Sequence, residues 1–205
     1  MSVYKLSYFN LRARAEVARL LFAVAGKEYE DYRIDRTNEW PSLKSSTPLG
    51  NVPLLTVNGK VIPQSRAIER YLAREFGLYG KNNWENTMCD VVIEAINDVR
   101  PEVRTYFLEK DESRKIELSK HLAEVTLPKF TNFIETTLKD NGGQYLVGNE
   151  LSLADLAVFD VIQQISIMWG NAIMDYSVDV KHHYERVMEV PRVKSWLENR
   201  PKTDR

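Results

Sequence analysis

The sequence predicts a small α/β domain followed by an all-helical domain. In the first 80 residues short apolar runs alternate with a helical pattern, and from Trp84 onward the apolar period is helical almost throughout. The stretch from Gly77 to Asn83 is rich in glycine and asparagine and separates the two patterns. We therefore expect a first domain over residues 1–79 and a second, helical-bundle domain over residues 80–205.

The first half predicts the element order β-α-β-α-β-β-α. Apolar and β-branched runs predict strands at residues 3–9, 29–34, 54–57 and 61–62. Helices are expected over residues 13–25, 40–44 and 65–76, and the second of them is short or irregular. Asn58-Gly59 is a favoured two-residue turn, so the last two strands should form an antiparallel hairpin. This order is typical of an α/β domain whose sheet is partly parallel.

The second half predicts a bundle of helices. One apolar stripe runs from Met88 to Phe107 at helical spacing. Further helices are expected over residues 116–138, 153–169, 178–188 and 193–198. Asn141-Gly142-Gly143 and Gly170 mark breaks between them.

Charge and hydropathy argue against two classes of partner. The formal net charge is −1 and the charged residues of both signs are interspersed, so no basic patch for nucleic acid is indicated. No run approaches the ~18 apolar residues of a membrane span, and the first residues lack the apolar region of a signal peptide. We therefore expect a cytoplasmic protein with neither a nucleic-acid nor a membrane partner.

The chain has one cysteine, Cys89, and three histidines. One cysteine cannot form an internal disulfide, a CxxC redox pair or a cysteine-based zinc site. The histidines are too few and too scattered for a metal cluster, so no metal is expected. The chemistry must therefore use oxygen and nitrogen side chains, or a sulfur supplied by another molecule.

Tyr8 lies at the end of the first predicted strand, just before the helix expected from Ala13. In an open α/β sheet the carboxyl ends of the strands face the ligand crevice. Position alone nevertheless favours a partly buried structural tyrosine over a functional one.

Three further motifs have both a structural and a functional interpretation. A cis peptide at Val52-Pro53 would expose the backbone of Val52, although a trans turn is the default for a proline there. Gln64-Ser65 begins a helix whose free N–H groups can hold a carboxylate, although a serine at that place is more often an N-cap. Ser152 to Asp155 has the S-x-x-D pattern of a capping box, and we interpret it as structural.

Together these motifs resemble those of the cytosolic glutathione transferases, most closely the sigma class, which includes prostaglandin D synthases. The resemblance spans nearly the whole chain and implies a thioredoxin-like domain followed by an all-helical domain. The residues that carry it are Tyr4 to Asn10, Arg14-Ala15-Glu16, Trp40-Pro41 with Lys44, Val52-Pro53, Gln64 to Ile68 with Arg70-Tyr71-Leu72, Ser152 to Asp155, and Arg200-Pro201.

The resemblance implies a site for glutathione as co-substrate. The hydroxyl of Tyr8 would donate a hydrogen bond to the glutathione sulfur and favour the thiolate, while Arg14 would add positive charge nearby. A free thiol with a pKa of ~8.5 is mostly protonated at neutral pH, and the thiolate is the nucleophile.

The remaining implied contacts hold the rest of the tripeptide. Trp40 and Lys44 would bind its glycine end, and Gln64 and Ser65 its γ-glutamyl carboxylate. The other implied contacts are Asn51, Val52 and a cis Pro53, together with Asp98, which would reach the glutathione amino group from the second subunit of a homodimer.

The second substrate implied by the resemblance is a hydrophobic electrophile. The residues expected to contact it are Phe9, Arg12, Arg100, Arg104, Ala157 and Val161. Arg100 and Arg104 share one helix face because they are four residues apart. They either attract an acidic or oxygen-rich electrophile or form an ordinary solvated face.

The leading hypothesis is therefore an enzyme, a glutathione transferase that conjugates glutathione to electrophiles, with reduction of lipid hydroperoxides as a second activity. Two alternatives stay open: a prostaglandin D synthase-type isomerase that uses glutathione, and a non-catalytic, ligand-binding or crystallin-like member of the family. Thr105 weighs against the isomerase, because the prostaglandin synthase carries an aromatic residue at that place.

Overall fold

The structure is a computed structural model that describes residues 2–203, without the side chains of Met168 and Asn171. Contacts between residues divide the chain into two compact units. The first contains the chain up to Leu78 and again from Pro191, and the second runs from Tyr79 to Val190. The first unit is α/β and the second is all-helical, as the sequence predicts.

The first unit is built on one four-stranded sheet in the order β2-β1-β3-β4. The strands are β1 (Tyr4–Phe9), β2 (Glu30–Ile34), β3 (Leu54–Val57) and β4 (Lys60–Pro63). β1 pairs parallel with β2 and antiparallel with β3, and β3 pairs antiparallel with β4. Asn58 and Gly59 both have positive φ, as the type I′ hairpin turn requires. The predicted hairpin and the partly parallel sheet are therefore confirmed.

Helices make up the second unit and also form part of the first. In chain order they are α1 (Glu16–Ala25), α2 (Trp40–Leu43), α3 (Ser65–Glu75), α4 (Asn83–Leu108), α5 (Glu112–His121), α6 (Leu127–Asp140), α7 (Leu153–Trp169), α8 (Val178–Met188) and α9 (Pro191–Asn199). The bounds predicted for α7 and α8 are confirmed.

The core of the first unit is apolar on both sides of the contact between sheet and helices. Leu6 and Leu55 of the sheet are completely buried, and they share this core with completely buried leucine and isoleucine side chains: Leu20, Leu21, Ile68 and Leu72. Burying one such side chain contributes roughly 1.5–3 kcal/mol. This core fixes the ends of the strands, where the predicted site residues lie.

α1 begins at Glu16, three residues later than predicted from the sequence. Residues Ala13–Ala15 instead form a short 3-10 turn, and Ala13 has a φ of 34°, which an alanine rarely adopts. Helical periodicity could not reveal this, because the apolar pattern continues through the turn. The end of α1 at Gly26 is as predicted, and the glycine has the left-handed conformation of a helix C-cap.

α9 joins the first unit, although the sequence-based division gave every residue after 79 to the helical domain. α9 packs against α1, and Val193 is completely buried. The apolar period of residues 193–198 predicts a helix but does not say which partner it packs against.

The second unit buries the predicted stripe of α4 only in part. Val92, Ile96 and Val99 are buried, whereas Val91 and Phe107 are 40% and 37% exposed.

The stretch predicted as one helix over residues 116–138 is divided into α5 and α6 by a π-helical segment at Leu122–Thr126. Within residues 2–203, no helix is both long and apolar enough to cross a membrane.

Candidate active site

Three strand ends meet at one edge of the sheet in the first unit. The register pairs Ser7 of β1 with Leu54 of β3, and Leu54 with Pro63 of β4. The next row along this edge therefore contains Tyr8, Pro53 and Gln64, and the first and last of these are more than 50 residues apart in the sequence. Because neighbouring strands lie about 4.8 Å apart, this row spans about 10 Å.

Tyr8 has a buried ring and a hydroxyl at the surface of the unit. The residue is only 7% exposed. No other residue in the described part of the chain hydrogen-bonds its hydroxyl, and this oxygen is not among the buried polar atoms without a partner. The ring is thus held in place by packing while the hydroxyl can donate a hydrogen bond to a bound molecule.

Phe9 links Tyr8 to Trp40 through ring contacts. The Tyr8 and Phe9 ring centroids are 5.6 Å apart, and Phe9 meets Trp40 edge to face at 5.3 Å. Such edge-to-face pairs are worth about 0.5–1.5 kcal/mol beyond the area they bury. The Phe9 ring therefore orients Trp40, which sequence reasoning did not reveal because the two residues belong to different elements.

Trp40 and Lys44 lie at the two ends of the α2 turn. Trp40 is half-buried, and its indole N–H makes no hydrogen bond to another described residue. Lys44 is exposed and, within the same described residues, forms no ion pair. Two donors, one of them charged, thus face outward from this turn.

The peptide bond between Val52 and Pro53 is cis, as the resemblance implies and against the trans default. Both side chains are buried, while Asn51 before them is exposed. The bond directly precedes β3, at the edge of the sheet where Tyr8 lies.

The N-terminus of α3 lacks a capping side chain among the described residues. Ser65 is the first helical residue rather than the N-cap, so the interpretation of Ser65 as an N-cap is wrong. The N-cap is Gln64, whose side chain makes no capping bond and whose φ of 74° is unusual for a residue other than glycine. The helix therefore presents uncapped N–H groups and the positive end of its dipole.

The turn between β1 and α1 carries two arginines. Arg14 is exposed and forms no ion pair with any residue of the described chain. Arg12 is half-buried and donates a hydrogen bond to the carbonyl of Thr203 at 3.3 Å. The turn thus leaves one guanidinium of the pair available to a ligand of the first unit.

The predicted residues of the second unit have different environments. Asp98 on α4 is exposed and makes no ion pair within residues 2–203. Arg100 donates to the buried carboxylate of Asp160 at 2.8 Å, a partner that sequence reasoning missed because it lies 60 residues further along the chain. Arg104 is exposed, whereas Ala157 and Val161 are completely buried on α7. Their contact with a second substrate stays a prediction.

Cys89 cannot serve as a reactive thiol in this fold. Its side chain is completely buried in α4, and burial raises the pKa of the thiol to about 11. The thiolate needed for nucleophilic or redox chemistry is therefore disfavoured at neutral pH. Within the described residues, no group of three or more potential ligands among His, Cys, Asp and Glu could hold a metal ion.

Comparison with known proteins gives the family. Residues 4–74 match the family model described as "Glutathione S-transferase, N-terminal domain", and residues 97–200 match "Glutathione S-transferase, C-terminal domain". The chain is 41% identical over 203 residues to "Probable glutathione S-transferase 7" of Caenorhabditis elegans, and the match covers 98% of each chain. The chain belongs to the glutathione S-transferase family.

Two solved glutathione S-transferase-like structures show the same fold over the full length. A nu-class glutathione S-transferase from Haemonchus contortus is 40% identical, with a TM-score of 0.91 and complete coverage of both chains. Prostaglandin synthase D of Nilaparvata lugens is 37% identical, with a TM-score of 0.89, and covers 98% of this chain and 100% of its own. This chain therefore has the glutathione S-transferase fold. Glutathione is the co-substrate of the family.

Proposed function

We propose that this glutathione S-transferase family member is an active transferase that ionises the glutathione thiol through Tyr8. The observation that carries the proposal is the row of Tyr8, Pro53 and Gln64 at one edge of the sheet. Glutathione with its γ-glutamyl end at Gln64 and its central residue beside Pro53 would lie along that row. The sulfur of the central residue would then lie within reach of the Tyr8 hydroxyl.

The two ends of the tripeptide carry carboxylates, and the edge has a cationic or dipolar group for each. The uncapped start of α3 at Ser65 favours an anion, as does the ammonium of Lys44. Gln64 is held in a rare backbone conformation at this point, and such outliers cluster at ligand sites. We assign the γ-glutamyl carboxylate to Gln64 and Ser65, and the glycine carboxylate to Lys44 with Trp40.

The proposed reaction needs no group other than those of the chain and the two substrates. The Tyr8 hydroxyl donates to the sulfur, and Arg14 adds positive charge, so the thiol loses its proton to solvent more readily. The thiolate then forms a bond to the electrophilic carbon while the leaving group departs with its electron pair. Each unit by which the thiol pKa falls corresponds to about 1.4 kcal/mol of preference for the thiolate.

Phe9, Arg12, Arg100, Arg104, Ala157 and Val161 remain our candidates for contacts to the electrophile. Among them we favour Phe9 and Arg104, because the first is in ring contact with Tyr8 and the second is exposed. Arg100 is engaged by buried Asp160, so we expect it to support α4 and α7 more than to attract substrate.

We further propose a homodimer in which Asp98 completes the glutathione site of the partner. The support is an exposed carboxylate that makes no ion pair within the described residues. Assignment to the sigma class is likewise a proposal, since the similarity to a nu-class structure is also high. Sedimentation and the glutathione affinity of Asp98→Asn test the dimer and its role.

A second candidate function is prostaglandin isomerisation with glutathione. The similarity to prostaglandin synthase D of Nilaparvata lugens favours it, at 37% identity over 98% of this chain. Thr105 is exposed on α4 and bonds the carbonyl of Pro101, so it offers no aromatic wall to a lipid. Conjugation therefore remains our leading proposal, followed by lipid hydroperoxide reduction.

The purified protein should be assayed with glutathione against a chlorinated nitroaromatic, a lipid hydroperoxide and prostaglandin H2. We expect turnover of the nitroaromatic, together with ultraviolet absorbance from a glutathione thiolate on the protein at neutral pH. Binding of glutathione without thiolate formation or turnover would instead support a ligand-binding member of the family. Failure to bind glutathione would overturn the proposal altogether.

A further inference from the structure

The carboxylate of Glu16, which has no role in the proposed site, joins two of the sequence motifs. It is 1% exposed at the start of α1. Its Oε1 accepts hydrogen bonds from the indole N–H of Trp196 and from Arg200, each at 2.8 Å. The Arg14-Ala15-Glu16 and Arg200-Pro201 motifs, more than 180 residues apart, thus meet through one buried carboxylate.

The second oxygen of Glu16 extends this arrangement to the other end of the turn between β1 and α1. It accepts from Arg19 at 3.3 Å, and the same guanidinium nitrogen donates to the carbonyl of Leu11 at 2.7 Å. Arg19 is completely buried and also donates to Asp31 at 3.2 Å. We call Glu16, Arg19, Trp196 and Arg200 the Glu16 cluster.

The turn that carries Arg14 is therefore held at both ends by the Glu16 cluster. Leu11 is fixed at its start through Arg19, and Glu16 itself lies directly after its end. Between them Ala13 adopts a φ of 34°, a conformation that costs about 1–3 kcal/mol and persists only where the surroundings impose it. The cluster supplies those surroundings.

We propose that Glu16, with Trp196 and Arg200, is a positioning group that sets the place of Arg14 relative to the glutathione sulfur. This inference rests on the proposed function, because it assumes that Arg14 stabilises a thiolate. The interaction of a guanidinium with a thiolate varies inversely with their separation, so a turn that relaxes around Ala13 weakens it. The C-terminal segment from Pro191 thereby tunes the thiol without touching it.

A purely structural role for the cluster predicts a different result. Loss of buried hydrogen bonds would then lower the stability of the protein and leave the chemistry of the folded molecules unchanged. The pKa of the thiol of bound glutathione distinguishes the two roles, because it is measured only on folded, loaded protein.

The experiment follows the absorbance of the glutathione thiolate against pH in wild type, Glu16→Gln and Trp196→Phe, together with kcat and KM for glutathione. Trp196→Phe keeps an aromatic ring but removes the indole donor, so it decides the question if Glu16→Gln does not fold. Asp155→Asn is the matched control, since it neutralises a buried, hydrogen-bonded carboxylate in the other unit.

We expect both cluster variants to raise the pKa of the bound thiol by about half to one unit, which lowers kcat about three- to tenfold below that pKa. KM for glutathione should change less than about twofold, since the proposed contacts to the two carboxylates of glutathione remain. The control Asp155→Asn should have a lower Tm than wild type and an unchanged pKa of the bound glutathione thiol. If the wild-type protein does not lower the thiol pKa of bound glutathione, both proposals fail. If it does, only this inference fails when the cluster variants have the wild-type thiol pKa. The same holds when Asp155→Asn raises the thiol pKa as much as the cluster variants do.

Discussion

The Nε2 atom of His183 lies 2.8 Å from Oδ1 of Asp155, with both side chains buried in the helical unit. The same carboxylate accepts from the backbone N–H of Leu146 and from the backbone and hydroxyl of Ser152. The S-x-x-D motif therefore does more than begin α7: it connects that helix with the preceding loop and with α8.

Replacement of Asp155 by alanine should destabilise the protein by at least about 3 kcal/mol, because several buried donors lose their acceptor at once. Urea denaturation followed by circular dichroism measures this. Asp111→Ala is the comparison, since Asp111 is an exposed N-cap with one bond to Arg114 and its loss should cost about 1 kcal/mol. Equal losses in the two variants would contradict the connecting role of Asp155.

Replacement of Tyr8 by phenylalanine should lower kcat/KM for conjugation about 100-fold, because removal of one donor to a developing anion has an effect of that order. The pKa of bound glutathione should return towards ~8.5. Tyr4→Phe is the matched control: Tyr4 lies on the same face of β1 and donates to Glu75 at 3.3 Å. A Tyr8→Phe enzyme that retains wild-type activity would show that another group ionises the thiol.

Replacement of Ser65 by alanine should raise KM for glutathione about tenfold, the equivalent of one lost hydrogen bond to a carboxylate. Because the thiol end is untouched, kcat should stay within about twofold. Steady-state kinetics over a range of glutathione concentrations gives both values. Ser113→Ala, near the start of α5, serves as the control and should leave KM unchanged; a fall in kcat alone for Ser65→Ala would refute the carboxylate assignment.

The free energy of unfolding should fall as pH rises above about 8.5. Burial raises the pKa of Cys89 to about 11 and raises that of Tyr29, so the unfolded chain releases these protons before the native protein does. Each group contributes its full stabilisation below its pKa in the unfolded chain. This contribution is lost as pH rises towards the pKa in the folded protein, by up to about 1.4 kcal/mol per pH unit for each group. Urea midpoints between pH 7 and 10.5 measure the slope.

Two variants separate the contributions to this alkaline loss. Cys89→Ala should flatten the profile from about pH 8.5, and Tyr29→Phe should flatten it only above about pH 10. A profile that is identical in wild type and Cys89→Ala would mean that the thiol ionises equally in both states. Alkylation of Cys89 at pH 8 should likewise require denaturant.

Sequence periodicity predicted the elements well wherever one period continued without interruption. The hairpin at Asn58-Gly59 and the helices α7 and α8 are in their expected places, because turn chemistry and a sustained apolar face determine them locally. The turn at Ala13 and the π-helical segment at Leu122–Thr126 were missed, since both interrupt the backbone without interrupting the apolar pattern.

For the candidate site, the sequence suggested residues but not how they are arranged. The motif around Gln64-Ser65 indicated a carboxylate site, yet only the strand register puts it in the row of Tyr8 and Pro53. Contacts between residues that are distant in the sequence could not be predicted for the same reason. Arg100 was expected to face a substrate, and its bond to Asp160 depends on how α4 packs against α7.

The pairing of Glu16 with Trp196 and Arg200 also has a consequence for the order in which the protein matures on the ribosome. The acid is made about 180 residues before its two donors, an interval of roughly 10 to 40 s at ordinary rates of translation. Until then Glu16 and Arg19 have only each other and nearby residues as partners. The first unit therefore begins to emerge before the second but is completed after it. A nascent chain halted before residue 196 has a first unit that lacks the contacts of Glu16 with Trp196 and Arg200.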